Sequence, residues 1–113
     1  TDAPLSDRNL ERLAARAFLG VGRTGSVMSN GSGDYALAFS TAESVRRTPP
    51  YREQKHMVEN WPNDYMTPFF QAVVEATEEA IYNALFKASD VEGINGDRYP
   101  SLPVPAVLQI LGK

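Results

Sequence analysis

Only one stretch of this sequence reads as a β-strand. Tyr35-Ala36-Leu37-Ala38-Phe39-Ser40-Thr41 alternates large and small side chains, which gives an extended segment one filled face and one tight face. A single strand can neither satisfy its own backbone nor make a sheet. Around it the order is helix, glycine-rich loop, strand, long loop, helix, loop, helix. The expected fold is α+β, completed by chain outside these 113 residues. The opening Thr1-Asp2-Ala3-Pro4 has neither an initiator Met nor a signal segment, which fits the same expectation.

The helices have clear signals. Over residues 5–19, Ser6 can cap the first turn, and Leu5 and Leu10 can close a hydrophobic staple. The stripe continues through Leu13, Ala14, Ala17 and Phe18, and Gly20 is placed to end the helix. Over 68–88, Thr67 is the expected cap and Pro68 takes the first position. Phe70, Val73, Val74, Thr77, Ile81, Ala84, Leu85 and Ala88 then form one apolar stripe. Phe70, Val74, Ile81 and Leu85 are expected to be buried, with Glu75 and Glu79 in solvent. Residues 42–65 have no period. They form an arm that is either a solvated excursion or a contact surface. A final helix is expected between Val104 and Leu111.

Composition removes several classes of function. With 42% hydrophobic and 22% charged residues, the chain is too apolar for intrinsic disorder. It has no run of 18 apolar residues to cross a membrane. A net charge of −3 leaves no basic face for nucleic acid as a main partner. Without cysteine there is no disulfide, thiol nucleophile or thiolate metal site. The single histidine, His56, excludes two-histidine metal motifs. No cofactor is expected. The compartment stays open between cytoplasm and periplasm.

Three patterns could carry chemistry. Gly20-Val21-Gly22-Arg23-Thr24-Gly25 matches the dinucleotide-binding glycine pattern, but it follows a helix instead of opening one. Thr1 could act as an N-terminal nucleophile, yet Pro4 and a helix cap follow where a strand would be needed. Thr1 and Asp2 read better as the end of a strand. The third pattern is Gly31-Ser32-Gly33-Asp34. A hydroxyl and a carboxylate two residues apart at a strand's entry can together hold an amine. Ordinary turn chemistry is the alternative.

Thr1-Asp2-Ala3-Pro4-Leu5, Arg23-Thr24-Gly25-Ser26, Gly31-Ser32-Gly33-Asp34 and Ala38-Phe39-Ser40-Thr41, taken in this order, resemble the self-processing aminopeptidases. These are the L-aminopeptidase/D-alanine esterase-amidases and the β-peptidyl aminopeptidases. Glu75-Ala76-Thr77-Glu78-Glu79-Ala80-Ile81 and Leu102-Pro103 extend the likeness over nearly the whole chain.

The resemblance implies a hydrolase whose precursor cuts itself into a larger α chain and a smaller β chain. The new first residue of the β chain is the nucleophilic serine. Residues 1–113 would be most of that β chain, lacking its first strand and so the nucleophile. The implied fold is one domain, a four-layer αββα sandwich like the N-terminal-nucleophile hydrolases but differently connected. The family's further catalytic serine and acid fall on Ser32 and Asp34; some members carry Glu at the acid position. The implied substrates are peptides and amino-acid amides or esters. The implied partners are the α chain and further αβ units in a homo-oligomer. The competing expectation is a non-catalytic domain that binds a protein through the 42–65 arm.

Overall fold

The computed structural model describes all residues, 1–113. Helix α1 (Asp7–Arg23) and helix α3 (Thr67–Lys87) lie side by side and run the same way. Between them the chain travels back along residues 35–41 and out through the arm, which holds one short α-helix, α2 (Pro49–Arg52), between two 3₁₀ turns at Glu43–Val45 and Asn63–Tyr65. After α3 come a two-stranded hairpin, β1 (Val91–Glu92) and β2 (Arg98–Tyr99), and a last helix, α4 (Val104–Ile110). No helix is long and apolar enough to cross a membrane.

Ser6 caps α1 as its sequence suggests, its Oγ accepting from the Asn9 amide at 3.4 Å. The helix does not end at Gly20. It runs one turn further to Arg23, and the left-handed residue that follows is Gly25, at φ +95°. Gly20 serves another purpose: it is buried where α1 crosses α3, with Thr77 and the Val74 carbonyl in its path. Thr67 is not a cap either. It is the first helical residue of α3; Met66 precedes it with no side-chain capping bond, and Pro68 takes the second position.

The core is small and sits at the paired N-terminal ends of α1 and α3. Leu5, Leu13 and Met66 form it, with Leu10, Ala38, Phe69, Phe70 and Val73 packed around them. Asn9 is buried beside them, and its Oδ1 accepts from Arg12 Nη1 at 3.0 Å, so the polar group is not left unpaired. Arg12 and Arg16 lie over the Phe70 ring, 4.8 and 3.6 Å from its centroid to each guanidinium carbon. Further along α3 only Val74 is buried. Phe70 and Ile81 are half-buried, and Leu85 is 46% exposed, so the expected burial of Leu85 is not met within this chain.

Residues 35–41 are extended but have no sheet partner along most of their length. Tyr35, Leu37 and Phe39 are exposed, while Ala36, Ala38 and Ser40 turn inward. The period of two expected from the sequence is present, with the small residues on the helix side. Between this segment and the two helices lies an open apolar groove of about 600 Å³. The alternation shows in burial, yet no neighbouring strand takes up the backbone.

Candidate active site

The C-terminal end of the extended segment is pinned to the start of the chain. The Thr1 amine donates to the Phe39 carbonyl at 3.2 Å, and the Thr41 amide donates to the Thr1 carbonyl at 2.8 Å. One donor and one acceptor of Thr1 thus straddle Ser40, which is the bonding pattern of a parallel β-bridge. The Ser40 hydroxyl adds a bond of 2.6 Å to the Ala3 carbonyl, and the Thr41 hydroxyl donates to the Thr1 carbonyl at 3.2 Å. Thr1 Oγ1 accepts from the Ala3 amide at 3.1 Å. Thr1 is therefore held as part of a strand pairing, as its place before Pro4 suggests.

At the other end of the segment stands the Ser32–Asp34 pair. The Ser32 hydroxyl donates to Asp34 Oδ2 at 2.8 Å. Gly31, at φ +96°, turns the chain just before it, a conformation that side chains resist. The Ser32 amide closes that turn on the Ser29 carbonyl at 2.9 Å. Both side chains are exposed. Because the hydroxyl hydrogen is used on the carboxylate, the serine oxygen presents lone pairs outward, and the second carboxylate oxygen is free. Such a pair accepts hydrogen bonds and favours a positive charge beside it. It suits an amine that must be oriented and then protonated.

The other sequence candidates lie elsewhere. His56 belongs to the arm; its ring stacks on Tyr51 with centroids 3.8 Å apart, and its Nδ1 meets the Gln54 carbonyl at 2.9 Å. The glycine pattern at 20–25 forms the last turn of α1 and the turn after it, so it offers no free helix N-terminal amides to a phosphate. Glu75 and Glu79 face solvent, and Glu78 pairs with Arg23 at 3.4 Å. The clamp role of Ser40 was not expected. Its signal was present in the sequence, as two adjacent hydroxyl residues closing an otherwise apolar alternating run.

Comparison with known proteins places this geometry in a family. Residues 1–99 match the model of peptidase family S58. The chain is 44% identical, over 113 residues, to a β-peptidyl aminopeptidase, BapA, of Sphingosinicella microcystinivorans; all of this chain and 28% of that protein are covered. It therefore spans under a third of the relative's length. Among solved structures, one of a Pyrococcus horikoshii OT3 protein superposes with a TM-score of 0.86 at 40% identity, covering 98% of this chain and 31% of the other. The L-aminopeptidase D-Ala-esterase/amidase of Ochrobactrum anthropi superposes with a TM-score of 0.77 at 34% identity, covering 98% and 32%. That enzyme is described as a prototype of the serine aminopeptidases and a new variant of the N-terminal-nucleophile hydrolase fold. The helix pair, the extended segment and the paired start of the chain are thus elements of a known architecture, and this chain belongs to peptidase family S58.

Proposed function

We propose that this chain is most of the smaller, catalytic chain of a self-processing serine aminopeptidase, acting on N-terminal residues of peptides, amides or esters. In this reading residues 1–113 complete a single four-layer αββα domain together with a larger chain from the same precursor. The nucleophile is a serine upstream of Thr1. The parallel bridge between Thr1 and Ser40 supports its location. Ser32 lies eight residues before Ser40, so in unbroken register the residue eight positions before Thr1 comes opposite Ser32. A serine there would present its hydroxyl and its α-amine to the Ser32–Asp34 pair.

The chemistry follows from that placement. The serine hydroxyl attacks the substrate's acyl carbon while its α-amine takes the proton. An unperturbed α-amine titrates at about 7.7–8.0, so a useful fraction is neutral at working pH. Ser32 accepts a hydrogen bond from the amine and fixes its direction. Asp34 stabilises the ammonium formed as the proton arrives, as a carboxylate does behind a catalytic histidine. The proton passes to the leaving amine or alcohol, and water then hydrolyses the acyl-enzyme ester to release the N-terminal residue.

The observation that carries this reading is the 2.8 Å bond from Ser32 to Asp34 at the entry of the extended segment. The test uses fully processed enzyme. Ser32→Ala and Asp34→Asn should each lower kcat by about 10²–10⁴, the range for general acid–base groups. Near-normal kcat in both would return the loop to turn chemistry.

A further inference from the structure

The sequence contains two Asn-Gly pairs, Asn30-Gly31 just before Ser32 and Asn95-Gly96 in the hairpin. Asparagine is thermolabile, most of all before glycine, where no Cβ shields the following backbone nitrogen from the side-chain carbonyl carbon. That nitrogen can attack only when its N–H is not engaged elsewhere, and here the two pairs differ. Asn30 and Gly31 are the central residues of a turn closed by the Ser32 amide on the Ser29 carbonyl at 2.9 Å. The closing donor is thus one residue beyond the attacking nitrogen, and the Gly31 amide makes no backbone hydrogen bond.

Asn95 stands one place later in its turn. There the Gly96 amide is itself the closing donor, to the Gly93 carbonyl at 2.9 Å. The Gly93 amide donates to the Asp97 carbonyl at 2.8 Å, and the Val91–Tyr99 and Glu92–Arg98 pairs hold the same hairpin. Freeing the Gly96 nitrogen therefore disturbs the whole hairpin, whereas the Gly31 nitrogen is free already. The contrast lies in bonds internal to each turn, so it holds whatever covers the chain.

We infer that Asn30 is a site of spontaneous deamidation in the folded protein and that Asn95 is protected. The only co-reactant is water. The Gly31 nitrogen loses its proton to hydroxide and attacks Asn30 Cγ. The Cγ–Nδ2 bond breaks, ammonia leaves with a proton, and a succinimide ring closes. Water then opens the ring on either side. Attack at Cγ breaks its new bond to the Gly31 nitrogen and gives aspartate in an ordinary backbone. Attack at the main-chain carbonyl carbon of residue 30 gives an isoaspartyl link, whose backbone runs through Cβ and Cγ and is one atom longer. Nothing is oxidised or reduced; an amide and water become a carboxylate and ammonia. The product sits in the turn that carries Ser32, and the longer link moves that hydroxyl relative to Asp34, now 2.8 Å away. Loss of turnover with age follows, and this consequence alone rests on the aminopeptidase reading.

The test is to incubate the whole protein as purified, warm and at mildly alkaline pH in heavy-oxygen water, and to map its peptides by mass. Label at residue 30, with isoaspartate detected by enzymatic methylation, marks ring opening. The hairpin's extra bonds should make conversion at Asn95 slower by about tenfold or more. In urea, where both turns are lost, the two rates should converge. No label at residue 30, or conversion at Asn95 as fast as at Asn30 in the folded protein, would overturn the inference. So would a difference that urea leaves unchanged, since the turns would not be its cause. Asn30→Gln, whose longer side chain cannot close the same ring, should keep its activity while wild type loses activity in step with labelling. Equal loss in Asn30→Gln would overturn the link to turnover. Peptide mapping needs no turnover, so it reads the modification even where the catalytic reading fails.

Discussion

Gly20 of α1 lies directly against Thr77 of α3. A Cβ at position 20 would stand 2.7 Å from the Thr77 Cβ and 2.7 Å from the Val74 carbonyl oxygen. The obstacle is partly backbone, so it cannot swing aside. Gly20→Ala should therefore destabilise the folded protein, although alanine is the better helix former by about 1 kcal/mol. Overpacking of this kind costs about 1–3 kcal/mol, and the larger Gly20→Val should cost more. Thermal unfolding checks the order, wild type above Ala above Val. A rise in Tm for Gly20→Ala would mean that the helices do not approach this closely.

The Ser32–Asp34 pair allows charge to be separated from hydrogen bonding. After Asp34→Asn, the side-chain amide could still accept a bond from Ser32 but could not stabilise an ammonium. Glu keeps the charge on a longer stem, and the exposed, glycine-flanked loop has room to adjust. Asp34→Glu should keep kcat within about tenfold of wild type while Asp34→Asn loses about 10² or more. Retained kcat in Asp34→Asn with a loss in Asp34→Glu would show that length, not charge, is what the site requires.

The clamp at the other end of the strand should matter for structure and little for chemistry. Ser40→Ala removes the bond to the Ala3 carbonyl and should cost about 0.5–1.5 kcal/mol. Thr1→Ala keeps the backbone pairing with residues 39 and 41 and should leave kcat within a few-fold. A drop of about a thousandfold, the scale of a lost nucleophile, would make Thr1 a reacting group after all.

The hairpin base titrates. The Ser101 amide and hydroxyl both donate to Asp90 Oδ1, at 2.9 and 2.8 Å, and hold that carboxyl below the usual range. A lowered folded pKa means that the unfolded chain binds the proton more readily. The stabilisation is then full above the unfolded Asp pKa and is lost as pH falls through the folded value. An NMR titration should place the Asp90 midpoint lower in the folded protein than in urea, and Ser101→Ala should narrow the gap. Coincident midpoints would mean that the base is open in solution.

How much of this was legible depended on range. Ser6, the Leu5–Leu10 staple and the 35–41 alternation are local patterns, and each appears in the structure. Gly20 misled because a glycine that ends a helix and one that admits another helix look alike in sequence; only Thr77, 57 residues away, distinguishes them. Leu85 lies on the correct stripe of α3, but no residue of this chain covers it. The loop between the last two helices was visible, whereas the two short strands within it were too brief to show a period. For the site, the spacing of Ser32 and Asp34 suggested a shared direction, and the hydrogen bond gives it. In the proposed reading its partner groups lie outside residues 1–113, where no pattern in this chain could reveal them.

The exposure of this chain leads to the last prediction. A folded monomer of 12.4 kDa shows about 6,100 Å² of surface to solvent. This chain shows 9057 Å², and only 6 of its 113 residues are buried. Its radius of gyration is 19.5 Å, where a compact domain of this length has about 13 Å. The excess of about 3,000 Å² on one partner is the scale of an obligate interface. It includes the outward row of Tyr35, Leu37 and Phe39 and the uncovered stripe of α3. Residues 1–113 produced alone should therefore lack a cooperative unfolding transition and be cut rapidly by protease. Produced together with the rest of the proposed precursor, the same chain should unfold in one sharp step, and Leu85→Ala should then cost about 2–5 kcal/mol. A single sharp transition for residues 1–113 alone would show that the chain needs no covering partner.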